Sequence, residues 1–90
     1  MFIHLGNETL IKTEDVIGIF DLDSTTVSKH TRKYLTLAEK KGDVVTVSYE
    51  LPKSFVLCAE KNGKNRKIYI SQISSSTLQK RAGYVDSLNE

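Results

Sequence analysis

The stretch VVTVSYELPKSFVLCAEKNGKNRKIYIS, residues 44–71, decides the fold. Apolar side chains recur at every second position: Val45, Val47 and Tyr49, then Phe55, Leu57 and Ala59, then Ile68 and Ile70. A period of two puts each set on one side of an extended chain. The pattern therefore predicts three consecutive strands in an antiparallel meander with one face on the core. Their connections differ in character. Leu51-Pro52-Lys53 contains the sole proline, which fixes φ and stiffens a turn. Lys61-Asn62-Gly63-Lys64-Asn65-Arg66 is a basic hairpin loop.

Downstream, Ile73-Ser-Ser-Ser-Thr-Leu-Gln-Lys-Arg-Ala-Gly-Tyr84 leaves the last strand and opens a short helix. Ser76 and Gln79 have capping-box spacing, which places the helix start at Ser76. Lys80 and Arg81 fall in its last turn, where they suit both the macrodipole and an anionic partner. Residues 85–90 are expected to fray.

Upstream, Phe2 to Leu5 and Thr9 to Ile11 flank the turn signal Gly6-Asn7 and predict a tight hairpin. Val16 to Phe20 is apolar and β-rich, which predicts a central strand covered on both faces. Asp23-Ser24-Thr25-Thr26 offers N-cap candidates for a helix that runs to Lys41 and stops at Gly42. At about 100° per residue, Val27, Tyr34 and Ala38 stack on one side with Leu35 and Leu37 flanking them. Lys29, Arg32, Lys33 and Lys40 gather on the other side. The elements sum to an α+β fold in a single domain, residues 1–84: a small antiparallel sheet, one main amphipathic helix and a short C-terminal helix.

Ninety residues bury only about 60% of the surface of the unfolded chain, so the core is modest. Cys58 is the one cysteine; it excludes an intrachain disulfide and points to a reducing cytoplasm. The N-terminal residues lack the basic and apolar regions of a signal peptide, and no apolar run approaches about 18 residues, so no membrane association is expected. The net charge of +2 is small, but it is segregated. Lys12 stands among Glu8, Glu14, Asp15, Asp21 and Asp23, whereas Lys29, Arg32, Lys33, Lys40 and Lys41 are opposed only by Glu39. Such segregation forms a basic surface for polyanions, or lets an acidic edge meet a basic edge of another copy.

A search for catalytic chemistry finds no Gly-rich phosphate loop, metal-spaced cluster or nucleophile elbow. His4 sits in an apolar strand, His30 on a helix flank, and Cys58 in a buried strand where a thiol acts as a small hydrophobe. Asp21 and Asp23 precede a helix, where carboxylates cap and complement its dipole. The expectation is no enzyme, no catalytic residue, no metal and no cofactor. Binding fares better: Lys29, Arg32, Lys33 and Lys53, with Lys80 and Arg81 behind them, are the candidate phosphate contacts. No aromatic pair for stacking unpaired bases is evident, so double-stranded DNA is the expected nucleic acid.

Taken in order, His4-Leu5-Gly6, Gly18-Ile19-Phe20-Asp21, Pro52-Lys53-Ser54 and Ser74-Ser75-Ser76-Thr77-Leu78-Gln79-Lys80-Arg81-Ala82 resemble the bacterial extracellular matrix regulatory protein family, RemA and RemB, and look nearest to its RemB members. The likeness covers roughly residues 1–82. It implies a fold related to the LytTR DNA-binding domain and a cytoplasmic regulator of biofilm-matrix genes. It also implies a ring-like homo-oligomer that presents basic residues to DNA. RemA-like members carry an arginine where this chain has Asp15, and an arginine pair where it has Leu51-Pro52. Fewer phosphate contacts predict weaker DNA binding. The competing expectation is a self-assembling interaction module with little or no DNA affinity.

Overall fold

The computed structural model describes residues 1–22, 28–60 and 65–83. In chain order it comprises β1 (Phe2–Gly6), β2 (Thr9–Lys12), a 3-10 turn (Thr13–Asp15), β3 (Val16–Asp21), α1 (Lys29–Lys40), β4 (Val44–Thr46), β5 (Ser54–Ala59), β6 (Arg66–Ser71) and α2 (Ser75–Arg81). The α+β class read from the sequence is the one observed. The first hairpin also forms as expected, with Ile3 opposite Ile11 and a turn through Asn7 and Glu8, both at positive φ.

The second sheet has the order β3-β5-β6-β4. β3 pairs with β5 and β5 with β6 in antiparallel fashion, but β4 pairs with β6 in parallel. The expected meander through β4, β5 and β6 is therefore corrected. Alternation reports which face a strand presents but not which strand lies beside it. Here α1 returns the chain so that β4 enters beside β6, through Ile68 N–H to Asp43 C=O and Val47 N–H to Ile70 C=O.

Both faces of this sheet are covered, not one. Val56 and Cys58 of β5 pack under the hairpin and α2, with Ile3, Leu5, Ile11 and Leu78. Phe55 of β5 and Ile68 of β6 pack against Ala38 of α1, flanked by Leu35, Leu57 and Ile70. The result is three layers, hairpin plus α2, sheet, and α1. This explains why β5 is nearly apolar throughout rather than alternating.

The expected central strand, Val16 to Phe20, is an edge strand. Its apolar run reflects exposed positions as well as buried ones: Ile17 is 55% and Phe20 44% exposed. A register shift between Val16 and Gly18 leaves Ile17 without a partner on β5, as a bulge does. The Phe20 ring lies across Gly18, where a Cβ would come within 2.7 Å of it, and stacks on Phe55 with centroids 4.9 Å apart.

Both helices begin at serines. For α1 the cap is Ser28, whose Oγ accepts from Thr31 N–H at 3.0 Å; the candidates Asp23 to Thr26, like Val27, lie outside the described residues. For α2 the cap is Ser74, not Ser76, and its Oγ accepts from Thr77 N–H. This earlier start puts Ile73 before the cap and Leu78 four positions into the helix, a hydrophobic staple that joins the buried cluster.

Two fully buried serines fasten the layers together. Ser71 Oγ donates to Leu5 C=O at 2.8 Å and accepts from Ile73 N–H, while Ser54 Oγ donates to Ile73 C=O at 2.6 Å.

Candidate nucleic-acid interface

Helix α1 buries only a narrow strip, with Ala38 inside and Thr31 and Leu35 partly covered. Lys29, Arg32, Lys33 and Lys40 are all exposed and share one stripe at 3.6 residues per turn. The first turn of α1 contains no acidic residue, so Lys29 and Arg32 stand at the positive end of the helix dipole. Cations there cost a helix roughly 0.3–1 kcal/mol each. They oppose the fold and add to the attraction of the positive helix end for an anion.

Lys53 precedes β5, with its N–H bonded to Ser71 C=O and its C=O accepting from Leu22 N–H. Alternation along β5 places it on the same face as Phe55 and Leu57, the side that α1 covers. The chain leaves β3 at Leu22, beside Lys53, and α1 ends near Asp43, beside Ile68. Lys29, Arg32 and Lys33 lie in the N-terminal half of α1. Next to Lys53, Leu51 is 77% exposed and Pro52 is also exposed.

Lys80 and Arg81 lie on α2, in the layer across the sheet from α1. Both are exposed and sit in the last turn, where the dipole favours them. Arg81 Nη1 donates to His4 C=O at 2.7 Å, joining α2 to β1 across 77 residues of sequence. One chain therefore brings Lys29, Arg32, Lys33 and Lys53 to one layer and keeps Lys80 and Arg81 on another. The opposition between α1's first-turn cations and its dipole is not visible until the cap is known to be Ser28. Of the basic hairpin loop, Arg66 is exposed at the opposite end of the sheet from Lys53, and Lys61 and Lys64 lie outside the described residues.

The concave sites are shallow. A hollow of about 190 Å³ between α1 and β6 is lined by Tyr34, Leu37, Lys41, Asp43 and Arg66, among others. Asp21 is exposed at the end of β3, and Asp23 lies outside the described residues. Among the described residues no group of three His, Cys, Asp or Glu side chains comes together, and no helix is long and apolar enough to cross a membrane.

Cys58 is 7% exposed, and burial, helped by the Asp15 carboxylate, pushes its thiol from an ordinary 9.0 up to about 11. Tyr69 is shifted the same way, first by burial. Because the folded pKa is the higher one, this stabilisation is complete below about pH 9 and is lost as pH rises toward 11. The thiolate fraction at neutral pH falls about 100-fold. Iodoacetamide at pH 8 is expected to alkylate the native chain at least about 100-fold more slowly than the urea-unfolded chain; comparable rates would contradict the burial of Cys58.

Residues 2–82 match the family model of RemA-like proteins, described as extracellular matrix regulatory protein A-like. The chain is also 36% identical over 85 residues to extracellular matrix regulatory protein B of Bacillus subtilis (strain 168), covering 94% of each chain. The chain belongs to the RemA-like family. The family is one of regulatory proteins, not of enzymes. In this RemA-like chain the matched span takes in every strand and helix of the described residues, including the α1 stripe, Lys53 and the α2 cations.

Proposed function

We propose that the chain is a bacterial, DNA-associated transcriptional regulator of extracellular matrix genes that acts in the cytoplasm as a ring-like homo-oligomer. Lys29, Arg32, Lys33 and Lys53 are its principal phosphate contacts, and Lys80 and Arg81 contribute from the other layer. The observation that carries this reading is the run of cations at the start of α1, kept where helix stability disfavours them. A polyphosphate satisfies those cations and suits the positive end of the helix dipole beside them. Membership of the RemA-like family and the likeness to extracellular matrix regulatory protein B supply the matrix-regulating role. The deciding measurement is anisotropy of labelled duplex DNA titrated over a range of salt concentrations. Four phosphate contacts predict a log–log slope of roughly −4 per protomer. Binding that is absent at low salt, or indifferent to salt, overturns the proposal.

A second reading is a self-assembling interaction module with little DNA affinity. It is favoured by the exposed Leu51 and Pro52 and the half-buried Asp15, at positions where the family resemblance implies arginine. Replacing Leu51 and Pro52 by arginine is expected to steepen the salt slope by about 2, since each adds a phosphate contact beside Lys53. An unchanged slope would place that turn away from DNA.

A further inference from the structure

Helix α1 carries a second stripe besides its cations. Tyr34, Leu37 and Lys41 follow one another at three- and four-residue spacing and so share one face, on which Tyr34 and Leu37 remain 40% and 48% exposed. With Arg66 and Ile68, alternate residues of β6, this face encloses the hollow of about 190 Å³. Ile68 and Ala38 are buried and form its floor, Tyr34 and Leu37 its walls, and the exposed Lys41 and Arg66 its rim. The floor is apolar and the rim is basic.

Main-chain bonds hold these parts in place. Lys41 N–H donates to Leu37 C=O at 3.2 Å, Gly42 turns the chain at φ +78°, and Asp43 N–H donates to Ala38 C=O at 3.0 Å. Asp43 C=O in turn accepts from Ile68 N–H at 2.8 Å, so this residue is clamped between α1 and β6, the two elements that line the hollow. A wider trough of about 440 Å³ shares Lys41, Asp43 and Arg66 with the hollow and extends to Lys67. Its remaining wall is Glu60, whose Oε2 accepts from Asn65 Nδ2 at 3.2 Å. Among the described residues, Lys41, Arg66 and Lys67 take part in no ion pair.

An apolar cavity of about 150 Å³ holds one benzene ring, so the hollow has the size of a single ring system. A duplex keeps its bases stacked and cannot fill it. Three neighbouring cations exceed what one carboxylate needs and suit a phosphate, with its near-double charge and three acceptor oxygens. We propose that the hollow and its trough form a nucleotide site. The base lies against Tyr34 and Leu37 over Ile68, the Asp43 carboxylate accepts an N–H from the base, and the phosphates rest on Lys41, Arg66 and Lys67. None of the cations assigned above to DNA lines either cavity, so the site stands independently of that reading.

The test titrates ADP, GDP, CDP and UDP, each to about 1 mM, into the ¹⁵N-labelled full chain, with the matching nucleosides and inorganic phosphate as partial probes. At least one diphosphate is expected to shift the amide signals of Leu37, Asp43, Arg66 and Ile68 saturably, and its nucleoside and phosphate to bind at least about tenfold more weakly. Arg66→Glu is expected to raise the Kd of that nucleotide at least about tenfold and Tyr34→Ala at least about fivefold, both with native circular dichroism because both side chains are exposed. Four diphosphates without effect overturn the proposal, as do shifts confined to other residues or an unchanged Kd in both variants. A nucleoside or phosphate that binds as tightly as the nucleotide overturns the joint recognition of ring and phosphate. Signals at these four residues that move with protein concentration and not with nucleotide would give the hollow to a second copy of the chain and overturn the site.

Discussion

Replacing Leu78 by alanine is expected to destabilise the fold by about 3 kcal/mol. Leu78 is 0% exposed, and with Ile73 it staples the start of α2 to the cluster formed by Ile3, Leu5 and Val56. A seven-residue helix has little stability of its own, so α2 is held in place by what it buries. Truncation removes that transfer free energy and leaves a cavity between the hairpin and the sheet. The Arg81 bond to His4 C=O would weaken with it, since Arg81 is on the same short helix. A domain of ninety residues has roughly 5–13 kcal/mol of stability in total, so the loss would appear as a Tm lower by about 15 °C and a lower urea midpoint. Leu37→Ala is the matched control: Leu37 is 48% exposed on α1, and its truncation is expected to cost under about 1 kcal/mol. If the two variants lose the same stability, α2 does not close the core.

The contrast between these leucines also marks how far the sequence can be read. Period-two patterning identified the extended segments because a strand's faces are a local property, and so the hairpin, the apolar β5 and the α+β class were legible. Strand neighbours were not. Nothing in Val44-Val45-Thr46 distinguishes antiparallel pairing with β5 from parallel pairing with β6; that choice is made by α1, which brings the chain back across the sheet. Nor could an apolar run tell a central strand from an edge one: Val16 to Phe20 is apolar partly because Ile17 and Phe20 remain exposed. The cap position of α2 failed for a related reason. Ser74 and Ser76 have the same chemistry, and the choice falls to Ser74 because Ile73 and Leu78 must both reach the core. Within the candidate site, the sequence could name the cations but not sort them. Only the layers separate Lys29, Arg32, Lys33 and Lys53 from Lys80 and Arg81.

Reversing Arg32 and Lys33 to glutamate is expected to weaken duplex DNA binding at low salt by at least about 100-fold, the loss of two charge-assisted phosphate contacts with repulsion added. The same change is expected to leave the fold intact, and even slightly firmer. Both side chains are exposed, glutamate is as good a helix former as the residues it replaces, and negative charge near the start of α1 suits the dipole that the cations oppose. Tm should therefore hold or rise while affinity collapses, a combination that damage to the fold cannot produce. Lys80→Glu supplies the comparison. On the opposite layer it is expected to lower affinity by less than about tenfold, through the loss of one contact, and to cost α2 a few tenths of a kcal/mol by placing an acid at its negative end. The salt slope of the double variant should be shallower than that of wild type by about 2, and that of Lys80→Glu by about 1 at most. Equal losses from the two variants would mean that DNA runs across both layers, and no loss from the double variant would take α1 out of the interface.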